Sequence, residues 1–237
     1  MKKNKTQIVE REKESIVTVM VGSFGCSVPF YLTKSLTEIR LKTLVIDNTS
    51  ENKLFTILKK GEDDEVVKRG NTFFIKNRLI TKEDLKEWDK TFDEVIVLLG
   101  TNTIAFDRDV FDRANHFIFV TGYDRFVRDS FRLAMETLYS MDRTYFSNKE
   151  HTISMVWNDK CPCKVNEKDF ESKCHIAVTH RYFIPMSDTN RKAYISLTEN
   201  GNGNIKALTD SYKECIFNLA NTITDGTKTK EIKKIIK

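Results

Sequence analysis

Short apolar runs alternate with amphipathic stretches along most of this chain. Residues 16 to 21 (IVTVMV) are apolar and β-branched with little polar alternation, the pattern of a strand buried on both faces. A turn-like GSFGCSVP follows. A helical pattern then runs from about Phe30 to Ile39, with Leu32, Leu36 and Ile39 on one face. TLVID at 43 to 47 predicts a second buried strand that ends on an aspartate. Residues 51 to 59 and 81 to 90 predict helices, with a strand at 72 to 76 between them. EVIVLL (94 to 99), HFIFVT (116 to 121), TISMVW (152 to 157) and IAVT (176 to 179) predict further strands. A long amphipathic helix from about Asp124 to Tyr139 carries Phe131, Met135 and Leu138 at apolar positions, and another helix spans roughly 204 to 222.

Apolar strands alternating with amphipathic helices imply βαβ units. The fold class expected is therefore α/β, a mostly parallel, doubly wound sheet with helices on both faces. The chain shows neither an internal repeat nor a low-complexity linker. One domain is expected over 15–222, after a charged extension at 1–14 and before a linker and basic tail at 223–237.

Composition narrows the class without changing it. The chain has 237 residues, 40% hydrophobic and 31% charged, as in a globular protein. No apolar run approaches the ~20 residues of a membrane-spanning helix. The opening MKKNKTQIVEREKES has no apolar stretch behind its lysines, so a cytoplasmic protein is expected. Five cysteines are an odd number, which suits free thiols in a reducing compartment. A net charge of +5 permits an acidic partner but demands none.

In an open parallel sheet, ligands bind at the carboxyl ends of the strands, often at the loop after the first. That loop is Gly22-Ser23-Phe24-Gly25-Cys26-Ser27-Val28-Pro29. A phosphate-binding loop reads G-x-x-x-x-G-K-[ST] in this context. With Gly22 at its first position, Ser27 replaces the second glycine, Val28 the lysine and Pro29 the Ser/Thr. Valine brings no cation to the phosphates, and proline has no hydroxyl for magnesium. Proline also removes one backbone N–H from the phosphate cradle, though it fits the first turn of a helix.

From Ile16 to about Ala193 the order of segments resembles the ParA/MinD family of deviant Walker-A ATPases, including its TadZ/CpaE-like members. The family's strand, loop, helix and aspartate-ended strand are similar to IVTVMV, GSFGCSVP, the helix with Leu32 and Leu36, and TLVID ending at Asp47. The family's signature lysine falls on Ser23. Phe92 to Leu99 resembles the family strand that ends on a second aspartate, here Leu99 or Gly100. Ala114 to Val120 resembles the next strand. Met155-Val156-Trp157-Asn158 resembles the strand whose asparagine recognises adenine. Phe183 to Asp188, with Arg191 and Ala193, resembles the "IP.D..vr.A" segment.

The resemblance implies the fold, face-to-face dimers and a nucleotide site at Gly22, Ser23, Gly25, Ser27, Asp47 and Asn158. It implies no turnover, because hydrolysis in the family needs the lysines, the magnesium hydroxyl and the second aspartate. The expected function is thus a catalytically inactive scaffold or positioning factor without a required cofactor, at most a weak binder of ATP, working through protein partners. An ATP-binding dimerisation switch and a partition-type DNA-binding protein are the alternatives. Asp47 reads equally well as the first acidic position of the family or as a cap for the helix that follows.

Three further groups invite a function. Cys161, Cys163, Cys174 and His175 are potential zinc ligands, but their spacing departs from the usual C-x₂₋₄-C pairs and free thiols are favoured. Ile232, Ile235 and Ile236 lie at helical spacing among lysines, similar to the membrane-targeting tail of MinD-like proteins, and would contact a membrane or a partner. A solvated charged end is the simpler expectation. Arg125, Arg128, Arg132 and Arg143 are interleaved with Phe126 and Phe131. Nearby acidic residues dilute that charge and the two aromatics are expected in the core, so nucleic acid is not favoured.

Overall fold

The computed structural model describes residues 14–22, 27–61, 64–76, 79–101, 108–143, 146 and 151–236. Their chain order is β1 (Ile16–Gly22), α1 (Ser27–Glu38), β2 (Thr43–Asn48), α2 (Lys53–Leu58), β3 (Val66–Arg69), β4 (Thr72–Lys76), α3 (Lys82–Thr91), β5 (Glu94–Leu99) and α4 (Arg108–Arg113). There follow β6 (His116–Gly122), α5 (Arg125–Met141), β7 (Thr152–Lys160), α6 (Glu167–Lys173), β8 (His180–Pro185), α7 (Asp188–Asn200), a 3-10 turn at Ile205–Ala207, α8 (Asp210–Ile223) and α9 (Thr229–Ile236).

Eight strands form one sheet in the order β3-β4-β2-β5-β1-β6-β7-β8. Only the β3–β4 pair is antiparallel. The expected α/β class is the one observed. β1, β5 and β6 are almost wholly buried, as continuous apolar runs require.

Each face of the sheet carries its own core. Met20, Val45, Ile96, Ile118 and Val156 pack under α1, α2, α7, α8 and α9. Val19, Ile46, Val97, Phe119 and Trp157 pack under α3, α4 and α5 on the other face. Successive strand residues thus serve opposite layers, the period-two geometry of a strand.

Local signals explain several boundaries. Thr81 caps α3 in a capping box with Asp84, and Asp124 caps α5 by accepting from the backbone N–H groups of Phe126 and Val127. Gly201 ends α7 in the left-handed conformation. The expected strand at 176–179 is absent: those residues form an irregular connection, and the edge strand is β8 instead. Ile176 is buried because it plugs the core beneath α5, not because it joins the ladder. α6 is held by Glu171, a buried carboxylate that accepts from the Trp157 indole (3.1 Å) and from Arg181 Nε (2.6 Å).

The end of the chain also departs from expectation. Residues 224 to 228 make a tight turn in which Gly226 N–H donates to Asn221 O (2.8 Å) and Gly226 takes φ +72°. α9 then folds back on α1 and α8, burying Ile232 and Ile236 fully and Ile235 in part. The segment read as a free linker and basic tail is therefore part of the helical layer. Its three isoleucines face the protein's own core.

At the amino ends of the strands, His116 is 6% exposed beside Thr18 of β1. Neither ring nitrogen has a hydrogen-bond partner among the described residues, and Asp225 Oδ1 lies 3.8 Å from Nε2. Burial lowers the His116 pKa from the ordinary 6.5, and Asp225 opposes this in part. The unfolded chain therefore takes up the proton first. The contribution of neutral His116 is fully present above pH 6.5 and is lost as pH falls through the depressed folded value. Chemical denaturation of the native chain and of His116→Asn between pH 7.5 and 5 should show a shallower acid decline for the variant. Parallel declines would mean that His116 does not titrate differently in the two states.

Candidate functional site at the carboxyl ends of the strands

The chain leaves β1 for a helix on one face of the sheet and leaves β6 for a helix on the other, while β1 and β6 lie side by side. Such a switch point opens a crevice at the carboxyl ends of the strands. Gly22 stands at its lip, paired with Val120 and at φ +145°. A Cβ at Gly22 would lie 2.0 Å from Val120 O, so a side chain has no room there. Ser23 and Gly25, expected in the same site, lie outside the described residues.

Ser27 opens α1, and its hydroxyl receives a hydrogen bond from Tyr212 Oη of α8 (2.9 Å). Tyr212 is buried, and burial raises its pKa well above the ordinary value. It also meets Tyr31 edge to face, with ring centroids 5.9 Å apart. Val28 is fully buried, and Pro29 is buried beside it in the first turn of α1. At this end of α1 the side chains are committed to the packing of α1 against α8.

Asp47 is 1% exposed at the end of β2. Its Oδ1 accepts from the backbone N–H (3.2 Å) and hydroxyl (2.6 Å) of Thr49, and its Oδ2 accepts from Phe55 N–H (3.1 Å). Phe55 is the third residue of α2, whose own N-cap, Asn52, is left-handed and makes no side-chain cap. Asp47 caps α2 from a distance. Leu99, 3% exposed, ends β5 beside Asn48.

Asn158 ends the regular part of β7 opposite Gly122. It is half-buried, and its amide reaches Asp159 at only 3.5 Å. Asp159 then takes φ +55° and the β7–β8 register shifts before Lys160. The fold thus sets Gly22, Ser27, Asp47 and Asn158 at the carboxyl ends of β1, β2 and β7 or at the start of the following helix. The Tyr212–Ser27 contact was not legible beforehand, because 185 residues separate its partners.

The remaining candidates do not gather here. Cys161 and Cys163 lie together after β7. Cys174 is buried beneath α5, and the exposed His175 stacks on Tyr139 with ring centroids 3.8 Å apart. Among the described residues, no group of three or more His, Cys, Asp and Glu is placed to hold a metal ion, so the four-residue zinc set is not assembled. On α5, Phe131 is buried as expected, but Phe126 is 81% exposed, because it sits on the opposite face of the helix near Leu133. Arg125 pairs with Asp129 and Arg132 with Glu136 along the same helix.

Known structures share this arrangement of strands and helices. A chain of the MinC:MinD cell division protein complex of Aquifex aeolicus superposes with a TM-score of 0.62 at 16% identity, covering 89% of this chain and 96% of that one. The chain has the fold of the MinD and ParA ATPases. A ParA family ATPase from Chlorobium tepidum gives a TM-score of 0.57 at 10% identity, over 93% of this chain and 96% of that one. Apo McdA of Cyanthece gives 0.56 at 14% identity, over 94% of this chain and all of that one (100%). No protein-family model matches the chain, and no curated protein sequence matches it. Gly22 is the last residue of β1, one of the central strands of this fold. No described helix is long and apolar enough to cross a membrane.

Proposed function

We propose that this chain is a MinD-like protein that has given up ATP turnover and works as a dimeric scaffold or positioning factor for a larger assembly. The observation that carries the reading is Asp47. A carboxylate that serves magnesium needs free lone pairs, whereas this one accepts three hydrogen bonds from its own protein and is closed to solvent. The neighbouring positions agree with it. In the sequence resemblance Val28 falls on the family's phosphate-binding lysine, Pro29 on its magnesium hydroxyl and Leu99 or Gly100 on its second aspartate. Phosphoryl transfer depends on positioned charge, and these side chains provide none. A protein partner suits a fold of this kind, since the Aquifex MinD is found in a complex with MinC. The docked α9 supports protein contacts over membrane binding through Ile232, Ile235 and Ile236, whose apolar face is already covered.

One observation favours a second reading, a nucleotide-binding switch. Asn158 resembles the adenine-reading asparagine, and among the described residues its side-chain amide makes only a long hydrogen bond, to Asp159 (3.5 Å). Calorimetric titration with ATP and ADP, with and without magnesium, separates the two. The scaffold reading expects no saturable heat up to about millimolar nucleotide, a binding free energy weaker than roughly −4 kcal/mol. Saturation at micromolar nucleotide would overturn it in favour of the switch. The ion-paired arginines of α5 give the DNA-binding alternative little support.

A further inference from the structure

Cys161-Pro162-Cys163 follows directly on β7. The backbone N–H of Cys163 donates to Cys161 O at 2.8 Å, a bond between residues two apart that closes a γ-turn around Pro162. The proline ring holds φ near −65°, close to what the inverse form of that turn requires. So tight a turn keeps the two α-carbons inside the ~7 Å beyond which a disulfide cannot bridge.

The surroundings leave this pair accessible. Cys163 is exposed and Cys161 half-buried, while Cys174 and Cys215 are only 1% and 2% exposed. Burial pushes the Cys174 thiol up to about 12 and raises that of Cys215 as well. Burial and the neighbouring Cys161 hold the Cys163 thiol above its ordinary value, and the Arg128 guanidinium opposes this only in part, so exposure is what singles this thiol out. The ladder also ends here, at the pairing of Lys160 with Pro185. Asp159 is left-handed, the β7–β8 register shifts between Trp157 and Lys160, and beyond that last pair Lys160 O accepts from Met186 N–H (3.1 Å). A ring can close at 161–163 without breaking a strand pair.

We infer that Cys161 and Cys163 form an oxidisable dithiol, a covalent modification site that takes a low-molecular-weight disulfide and closes to an intrachain disulfide. The Cys163 thiol loses its proton to solvent, and the thiolate attacks one sulfur of the small disulfide. One thiolate leaves and is protonated, so Cys163 carries a mixed disulfide. The Cys161 thiolate then attacks the Cys163 sulfur, and the second small thiol departs. One small disulfide is reduced to two thiols, and the protein loses two hydrogens. A three-residue loop makes the product exposed and readily reduced, the character of a reversible switch. This site is independent of the nucleotide reading.

The test is incubation of the full chain with oxidised glutathione, followed by acid quenching, intact mass and peptide mapping. The expected product has lost two hydrogens in the peptide that carries Cys161 and Cys163, retains no glutathione, and reverts with dithiothreitol. Cys161→Ser should keep one glutathione on Cys163. Cys163→Ser should react about tenfold more slowly at Cys161, the less exposed thiol. Glutathione stably retained on Cys163 of the native chain would overturn the inference, because it would mean that the thiols do not pair. So would a Cys163→Ser variant modified as fast as the native chain, or a disulfide from either residue to another cysteine.

Discussion

Removing residues 228–237 is expected to cost the fold roughly 3–6 kcal/mol, from the loss of two fully buried isoleucines at about 1.5–3 kcal/mol each. Ile232 is 0% and Ile236 4% exposed, and both pack in the core formed with α1 and α8. Truncation also bares the apolar surface of α1 and α8 that α9 now covers. The loss is a large fraction of a typical domain's stability. Urea denaturation of the truncated chain should show a markedly lower midpoint, and Ile232→Ala should show a smaller fall, about 2–5 kcal/mol. An unchanged midpoint after truncation would mean that the tail is not part of the core. The free-tail expectation, and with it membrane contact through Ile232, Ile235 and Ile236, would then regain its basis.

Gly22→Ala should be nearly as costly, about 3–5 kcal/mol, because backbone strain and overlap add at one position. The residue sits at φ +145°, and a Cβ would approach Val120 O to 2.0 Å and Val120 C to 2.8 Å. Both atoms are backbone of the adjacent central strand, so no side-chain rotation relieves the contact. Either β1 or β6 must shift, and each is bonded to a second strand as well. Thermal and urea unfolding measure the effect. A variant as stable as the native chain would show that the lip of the crevice deforms easily. Gly22 would then answer to loop flexibility and not to packing.

These two positions illustrate what could be read in advance. Gly22 was legible as a special glycine from its place between an apolar strand and a helix. Its reason was not legible: the motif suggests a phosphate cradle, whereas the atom that excludes a side chain belongs to β6, almost a hundred residues on. Asp47 was legible as a strand-end aspartate with two readings, and the three hydrogen bonds to Thr49 and Phe55 favour the cap. The isoleucine spacing of the tail announced a helix with an apolar face, and that helix is present. Periodicity says that a face will be covered but not by what, so membrane, partner and own core looked alike. The misplaced strand at 176–179 has a similar cause. A short apolar run at a sheet edge fits a strand or a core plug equally, and only the pairing of His180 with Ser154 decides.

By itself the sequence determined the alternation of strands and helices, the α/β class and the glycine that ends the first strand. Those are local properties: they follow from which residue types succeed one another, and the backbone's two periods translate them directly into faces. Only the tertiary structure decided that α9 closes over α1, that Asp47 caps α2 from the preceding strand, that Tyr212 reaches Ser27, and that Cys161 and Cys163 share a tight turn where β7 ends. Each of these depends on what stands opposite a residue once the sheet has been ordered. That order arises from burial summed over both cores, a quantity that no single segment carries.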